Sequence, residues 1–99
     1  MWQARQREPG VPASSDLRVV LPVDVALHAR PAGAFVKTAL GFQSRIAVST
    51  DGKIADAKSI LAVLALGAVG GTELQLTAEG DDALEAIEAL ATCVRNLSE

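Results

Sequence analysis

Disulfide, metal, membrane and nucleic-acid chemistry find little to work with in this chain. Among 99 residues there are one cysteine, Cys93, one histidine, His28, and three aromatic side chains. A single thiol forms no internal disulfide, and one His and one Cys far apart in sequence supply too few soft ligands for zinc. A Cys–His nucleophile pair is equally weak, because Cys93 falls on a helical apolar stripe and reads as core. The longest nearly unbroken apolar run, ILAVLALGAV at residues 60–69, is about half of what a bilayer span requires. The first residues, MWQARQREPG, lack the continuous apolar stretch of a secretory signal, so a cytoplasmic protein without membrane insertion is expected. The segment LGAVGGTE lacks the consecutive Lys-Ser/Thr pair of a phosphate-binding P-loop. Nucleic acid is a poor fit, since the net charge is −3 and the bases neither cluster nor interleave with aromatics.

What the chain does have is aliphatic material: 49% of its residues are hydrophobic, so the core must be built from Leu, Val, Ile and Ala. Its length suits one domain. The charge divides unevenly. Residues 1–58 carry eight bases and five acids, net +3, whereas residues 59–99 carry one base and seven acids, net −6. The histidine lies in the basic part, where an anionic ligand or an acidic partner is attracted.

Read along its length, the chain starts with a flexible tail at residues 1–15, rich in Pro, Gly and polar residues, and a domain follows over 16–99. LRVVLPVDV at 17–25 reads as a strand, with Pro22 at its end or on an edge. Apolar positions at Ala32, Phe35, Val36, Ala39 and Leu40 recur at helical spacing, which predicts a helix over 29–40 capped by Gly41. SRIAVST and KIADA flank Asp51-Gly52, a hairpin signal. KSILAVLALG reads as a short helix with Ser59 as N-cap and Gly67 as its stop. TELQLTA at 72–78 alternates as a strand. DDALEAIEALATCVRNL closes the chain as an amphipathic helix with Leu84, Ile87, Leu90 or Ala91, Val94 and Leu97 on the buried stripe. Asp81, Asp82 and Glu85 stand at its start and Arg95 at its end, as a helix dipole favours. The order is βαββαβα, an α+β fold with a sheet covered on one face by helices.

The stretch ALHARPAGAFVKTALGF at 26–42 places His28 at the mouth of the first helix. Pro31 is tolerated in a first helical turn, where its missing N–H would be unpaired anyway. A helix N-terminus presents free amides and partial positive charge, here at Ala29 and Arg30, and Arg30 adds a guanidinium able to hold phosphate oxygens in two-pronged fashion. Small residues at Ala29, Ala32, Gly33 and Ala34 leave the mouth open to a partner. A neutral imidazole is a nucleophile, and its phosphoramidate is a transferable group. By residue type alone, a lone His is a surface or capping residue.

LHARPAGAFVKTALGF, then AKSILAVLALG, then GGTELQLTAEGDDALEAIEAL resemble HPr, the histidine-containing phosphocarrier family of the phosphoenolpyruvate-dependent sugar phosphotransferase system. The resemblance spans about residues 17–97, and two separated motifs agree in order and spacing. It implies an open-faced sandwich, a four-stranded antiparallel sheet under three helices. It implies that His28 is phosphorylated by phospho-enzyme I and dephosphorylated by IIA domains, assisted by Arg30, with Pro31 beside it. Ser59 matches the serine that a dedicated HPr kinase modifies in some bacteria. Separately from the resemblance, Lys37 and the apolar Ile60, Leu61 and Leu64 are the expected docking residues, the apolar three if they are exposed rather than alternating between core and surface as in any short helix. No cofactor or metal is implied, and a monomer is expected. A regulatory interaction module working through Ser59, or a carrier for a nitrogen-related or dihydroxyacetone kinase branch, is the alternative. The chain departs from the family pattern at Val25-Ala26, where a small polar residue and a glycine usually precede the Leu-His pair.

Overall fold

Period-two alternation in four short segments builds one antiparallel sheet, and the helical stripes close over one of its faces. The computed structural model describes residues 13–98. Strands β1 (Ser14–Val20), β2 (Arg45–Thr50), β3 (Lys53–Asp56) and β4 (Glu73–Glu79) lie in the order β1-β4-β2-β3. Helices α1 (Ala29–Leu40), α2 (Ile60–Ala65) and α3 (Ala83–Arg95) complete the expected βαββαβα order. α3 lies over β1 and β4, α2 lies against β3, and α1 packs on both other helices.

Central β4 shows the logic best. Leu74, Leu76 and Ala78 point into the core, while Glu73, Gln75, Thr77 and Glu79 face out. The register sets Leu76 between Leu17 of β1 and Val48 of β2. On the open face Arg18, Gln75, Ser49 and Ile54 form one row across all four strands. Phe35, Leu21, Ile46 and Leu90 complete a core that is aliphatic but for one ring. In the hairpin, Asp51 and Gly52 both take positive φ, 51° and 77°, the pair of left-handed residues a tight two-residue turn needs.

Four expectations change. The first strand runs from Ser14 to Val20 rather than from 17 to 25. It starts earlier because the backbones of Ser14 and Ser15 pair with Glu79 and Ala78, which hydropathy does not register. It stops earlier because Pro22 has no N–H for the ladder and its carbonyl instead accepts from Val25 N at 3.1 Å. Of the tail, residues 1–12 lie outside the described residues, and 14 and 15 belong to β1. On α3, Leu84 is 58% exposed and Ala83 and Ala86 are buried in its place. Alanines on the sheet-facing stripe let the helix lie close, and this turns Leu84 outward. Cys93 is half-buried at the margin of the core rather than within it.

Asp82 was expected to serve the helix dipole, and it holds the N-cap position of α3, but its side chain makes no cap bond. The carboxylate instead accepts from the backbone N–H groups of Gln43 and Ser44, both at 2.9 Å, and from the Ser44 hydroxyl. These bonds clamp the entry of β2 to the start of α3. The Ser44 hydroxyl and the Gln43 amide, foremost among the bonds, hold the Asp82 carboxyl below the ordinary aspartate range. A carboxylate depressed in the folded state contributes stability above its unfolded pKa, and that contribution is lost as pH falls through the folded value. Thermal melts over the range of about pH 5 to pH 2 should therefore show a falling melting temperature that is flatter in Asp82→Asn. Parallel curves for the two proteins would show that the clamp carries no proton linkage.

Candidate functional site

The segment from Leu21 to Leu27 is held in two ways before it delivers His28. Leu21, Val25 and Leu27 are buried, so every few residues one side chain anchors the segment in the core. Its backbone is also tied to the loop after α2. Leu21 N–H donates to Thr72 O at 2.9 Å, Gly71 N–H donates to Leu21 O at 3.1 Å, and Leu27 N–H donates to Ala68 O at 3.0 Å. His28 N–H closes a tight turn onto Ala26 O at 2.8 Å. Val25, one of the two residues at which the chain departs from the expected pattern, is a core anchor.

His28 is the N-cap of α1. Its carbonyl accepts the first helical bond, from Ala32 N at 2.8 Å, while its imidazole makes no capping bond and is exposed. The ring is therefore free for chemistry. Among the described residues the amides of Ala29 and Arg30 donate to no backbone or side-chain group, because helical bonding begins at Ala32. Pro31 stands third in the helix, buried, where it removes no needed donor. Arg30 is exposed beside the two free amides. An uncommitted imidazole thus caps the positive end of a twelve-residue helix whose first two N–H groups are free, with the Arg30 guanidinium two residues on. Such a mouth suits a dianion bonded to that ring.

Arg30, Ala34 and Lys37 fall at helical spacing on one exposed stripe of α1, a helix without an acidic residue. Lys37 itself lies in the last turn, about 12 Å along the axis from the mouth at 1.5 Å per residue. It is not part of the His28 cluster. Ser59 caps α2 through its side chain, whose oxygen accepts from Ala62 N–H at 3.2 Å. Val63 and Leu66 bury one side of α2, and Ile60, Leu61 and Leu64 stay on the exposed side, Leu61 at 77%. The loop that follows α2 is tied to the residue preceding His28, its Ala68 carbonyl accepting from Leu27 N–H. Ala68, Gly70 and Gly71 are not among the expected site residues, although Gly70-Gly71 opens one of the motifs that carry the resemblance. The double glycine was the available signal.

Residues 16–96 match the family model described as the phosphorylation site of the PTS HPr component. Phosphocarrier protein HPr of Vibrio cholerae serotype O1 is 41% identical over 80 residues, covering 81% of this chain and 94% of that one. The HPr-like protein Crh of Bacillus subtilis is 41% identical over 78 residues, covering 79% of this chain and 92% of that one. The crystal structure of the phosphocarrier protein HPr of Bacillus anthracis superposes with a TM-score of 0.79 at 41% identity, covering 83% of this chain and 98% of that one. The sheet order, the three helices over it and the matched sequence all agree, and the chain belongs to the HPr family of phosphocarrier proteins of the phosphotransferase system.

Proposed function

We propose that His28 is the phosphoryl acceptor, charged by phospho-enzyme I and discharged to the IIA domains of sugar transporters. The observation that carries this reading is the uncommitted, exposed imidazole at the N-cap of α1, beside two unpaired amides and Arg30. A ring nitrogen of His28 attacks the phosphorus of the donor phosphohistidine. The new P–N bond forms as the donor's P–N bond breaks, and one neutral ring enters as another leaves. Discharge to an acceptor histidine is the same step reversed in direction. Transfer of this kind asks for positioning and charge stabilisation of the moving phosphoryl oxygens, which the free amides and Arg30 supply. The working unit is one copy of the chain, since every group at the mouth comes from one segment, and the setting is the cytoplasm. Incubation with phosphoenolpyruvate and a catalytic amount of enzyme I should place one acid-labile, base-stable phosphoryl group on the protein. Acid-stable label, or label mapped to another residue, counts against the reading.

Docking is assigned to the apolar side of α2, Ile60, Leu61 and Leu64, with the basic stripe of Arg30 and Lys37 attracting an acidic partner. A second, regulatory reading is favoured by the place of Ser59, which starts this same helix, and by the Crh relative. A phosphate placed there by a dedicated kinase meets the positive end of α2, so the fold tolerates it. The cost falls on the interface, where the added charge must be desolvated against an apolar, acid-rimmed partner. Ser59→Asp should therefore bind enzyme I about tenfold or more weakly, the equivalent of roughly 1.4 kcal/mol, with its melting temperature held. Titration calorimetry beside a thermal melt separates the two effects. Unchanged affinity removes Ser59 from the partner surface, and a lost transition shows a structural cap only.

A further inference from the structure

We propose that Gly70 is a positioning residue for phosphoryl transfer: lacking a Cβ, it admits the Val23 carbonyl and so sets where the segment ending at His28 lies. The inference rests on the reading of His28 as phosphoryl acceptor. An ideal Cβ on Gly70 would stand 2.1 Å from Val23 O, 2.6 Å from Val23 C and 3.0 Å from Pro22 O. All three are backbone atoms, so no side-chain rotation relieves the overlap. The adjacent Gly71 differs: its φ of 83° calls for glycine, but the nearest atom to its own Cβ site is Val23 Cγ1 at 4.0 Å. Gly71 serves a conformation and Gly70 a close approach.

The contact is bracketed by ties. Toward one end Leu21 exchanges hydrogen bonds with Thr72 and Gly71, and toward the other Leu27 N–H donates to Ala68 O. The buried side chains of Leu21, Val25 and Leu27 hold the same segment from below. A β-carbon at position 70 therefore cannot be absorbed by a yielding loop. It levers the two segments apart between their ties, and the Leu27–Ala68 bond directly precedes His28. Because Ala68 follows α2, the same movement shifts the histidine relative to Ile60, Leu61 and Leu64. A partner that docks on α2 then presents its phosphoryl group out of line with the ring. A misplacement of about 1 Å in such a step costs on the order of a hundredfold in rate.

Gly80→Ala is the matched control. It too overfills, its Cβ falling 2.5 Å from Ser44 Oγ and 2.8 Å from Ser44 Cα at a φ of 146°. It follows the far end of β4, a seven-residue strand, from the end that Gly70 precedes, a separation of roughly 20 Å. Both variants should melt earlier than the unmodified protein. Only Gly70→Ala should lower the transfer rate at saturating phospho-enzyme I, by about ten- to a hundredfold, and move the His28 ring and Leu27 amide resonances. Equal losses of rate in the two variants, or an unaltered rate and unmoved His28 resonances in Gly70→Ala, overturn the proposal. If Gly70→Ala does not fold, amide exchange in the unmodified protein decides. Leu27 and Gly71 amides as protected as those of β4 support a rigid clasp, and free exchange at either overturns it. Should the unmodified protein take up no phosphoryl group, the reading of His28 fails, while the resonances and amide exchange still judge Gly70.

Discussion

His28→Ala is expected to take up no phosphoryl group from phospho-enzyme I while melting with the unmodified protein. The ring is exposed, makes no capping bond and contributes nothing to the core, so its removal leaves the packing of the domain untouched. The structural parts of this residue are its backbone groups: the carbonyl accepts from Ala32 N and the amide donates to Ala26 O, and alanine keeps both. Alanine is a poor N-cap, but a cap whose side chain makes no bond has little to lose. The loss of transfer should be complete rather than partial, because no other group at the helix mouth is a nucleophile that forms a labile phosphoramidate. Radiolabel uptake and a thermal melt on the same preparation check both halves. Label retained in His28→Ala would place the acceptor elsewhere, and a collapsed melt would make His28 a structural residue.

Arg30→Ala is expected to slow both charging by enzyme I and discharge to a IIA domain, with little change in stability. The side chain is exposed on α1, so the fold loses only a solvated group, within about 0.5 kcal/mol. The transferring phosphoryl group loses a charge-assisted contact, worth roughly 1.5–3 kcal/mol, or about ten- to a hundredfold in rate. Arg30→Lys separates charge from geometry. Lysine keeps the charge but not the planar fork, so partial recovery is expected. Rapid-quench measurement of both half-reactions reads this directly. Equal rates for Arg30→Ala and the unmodified protein in both directions would reduce Arg30 to a surface charge.

Much of this protein was legible before its fold was known, because its elements announce themselves locally. The stripe from Ala32 to Leu40 with Gly41 after it marked α1 at its observed bounds, and Asp51-Gly52 marked the hairpin. Ser59 was readable as the cap of α2 because capping joins residues three apart. His28 stood out for the same reason: a histidine, an arginine and a proline in the first turn of a helix are neighbours in sequence, and the site's anion-binding character is a property of that one turn. The first strand was misjudged because its outer residues are serines, whose pairing is a matter of backbone alone.

Tertiary structure decided whatever joins groups remote in the chain. Periodicity placed Leu84 on the buried stripe, but the helix turned its alanines to the sheet, since the depth of packing depends on the surface opposite. Nothing near Asp82 tells that its carboxylate serves Gln43 and Ser44, 39 and 38 residues away. Nothing in a double glycine tells that one of them makes room for the carbonyl of Val23 while the other accommodates a positive φ. The sequence alone determined on which elements the proposed site residues stand, because propensity, capping and turn chemistry act within a few residues. The folded chain decided how the segment ending at His28 is tied to the loop after α2, because steric exclusion and hydrogen bonding act between whichever atoms the packing brings together.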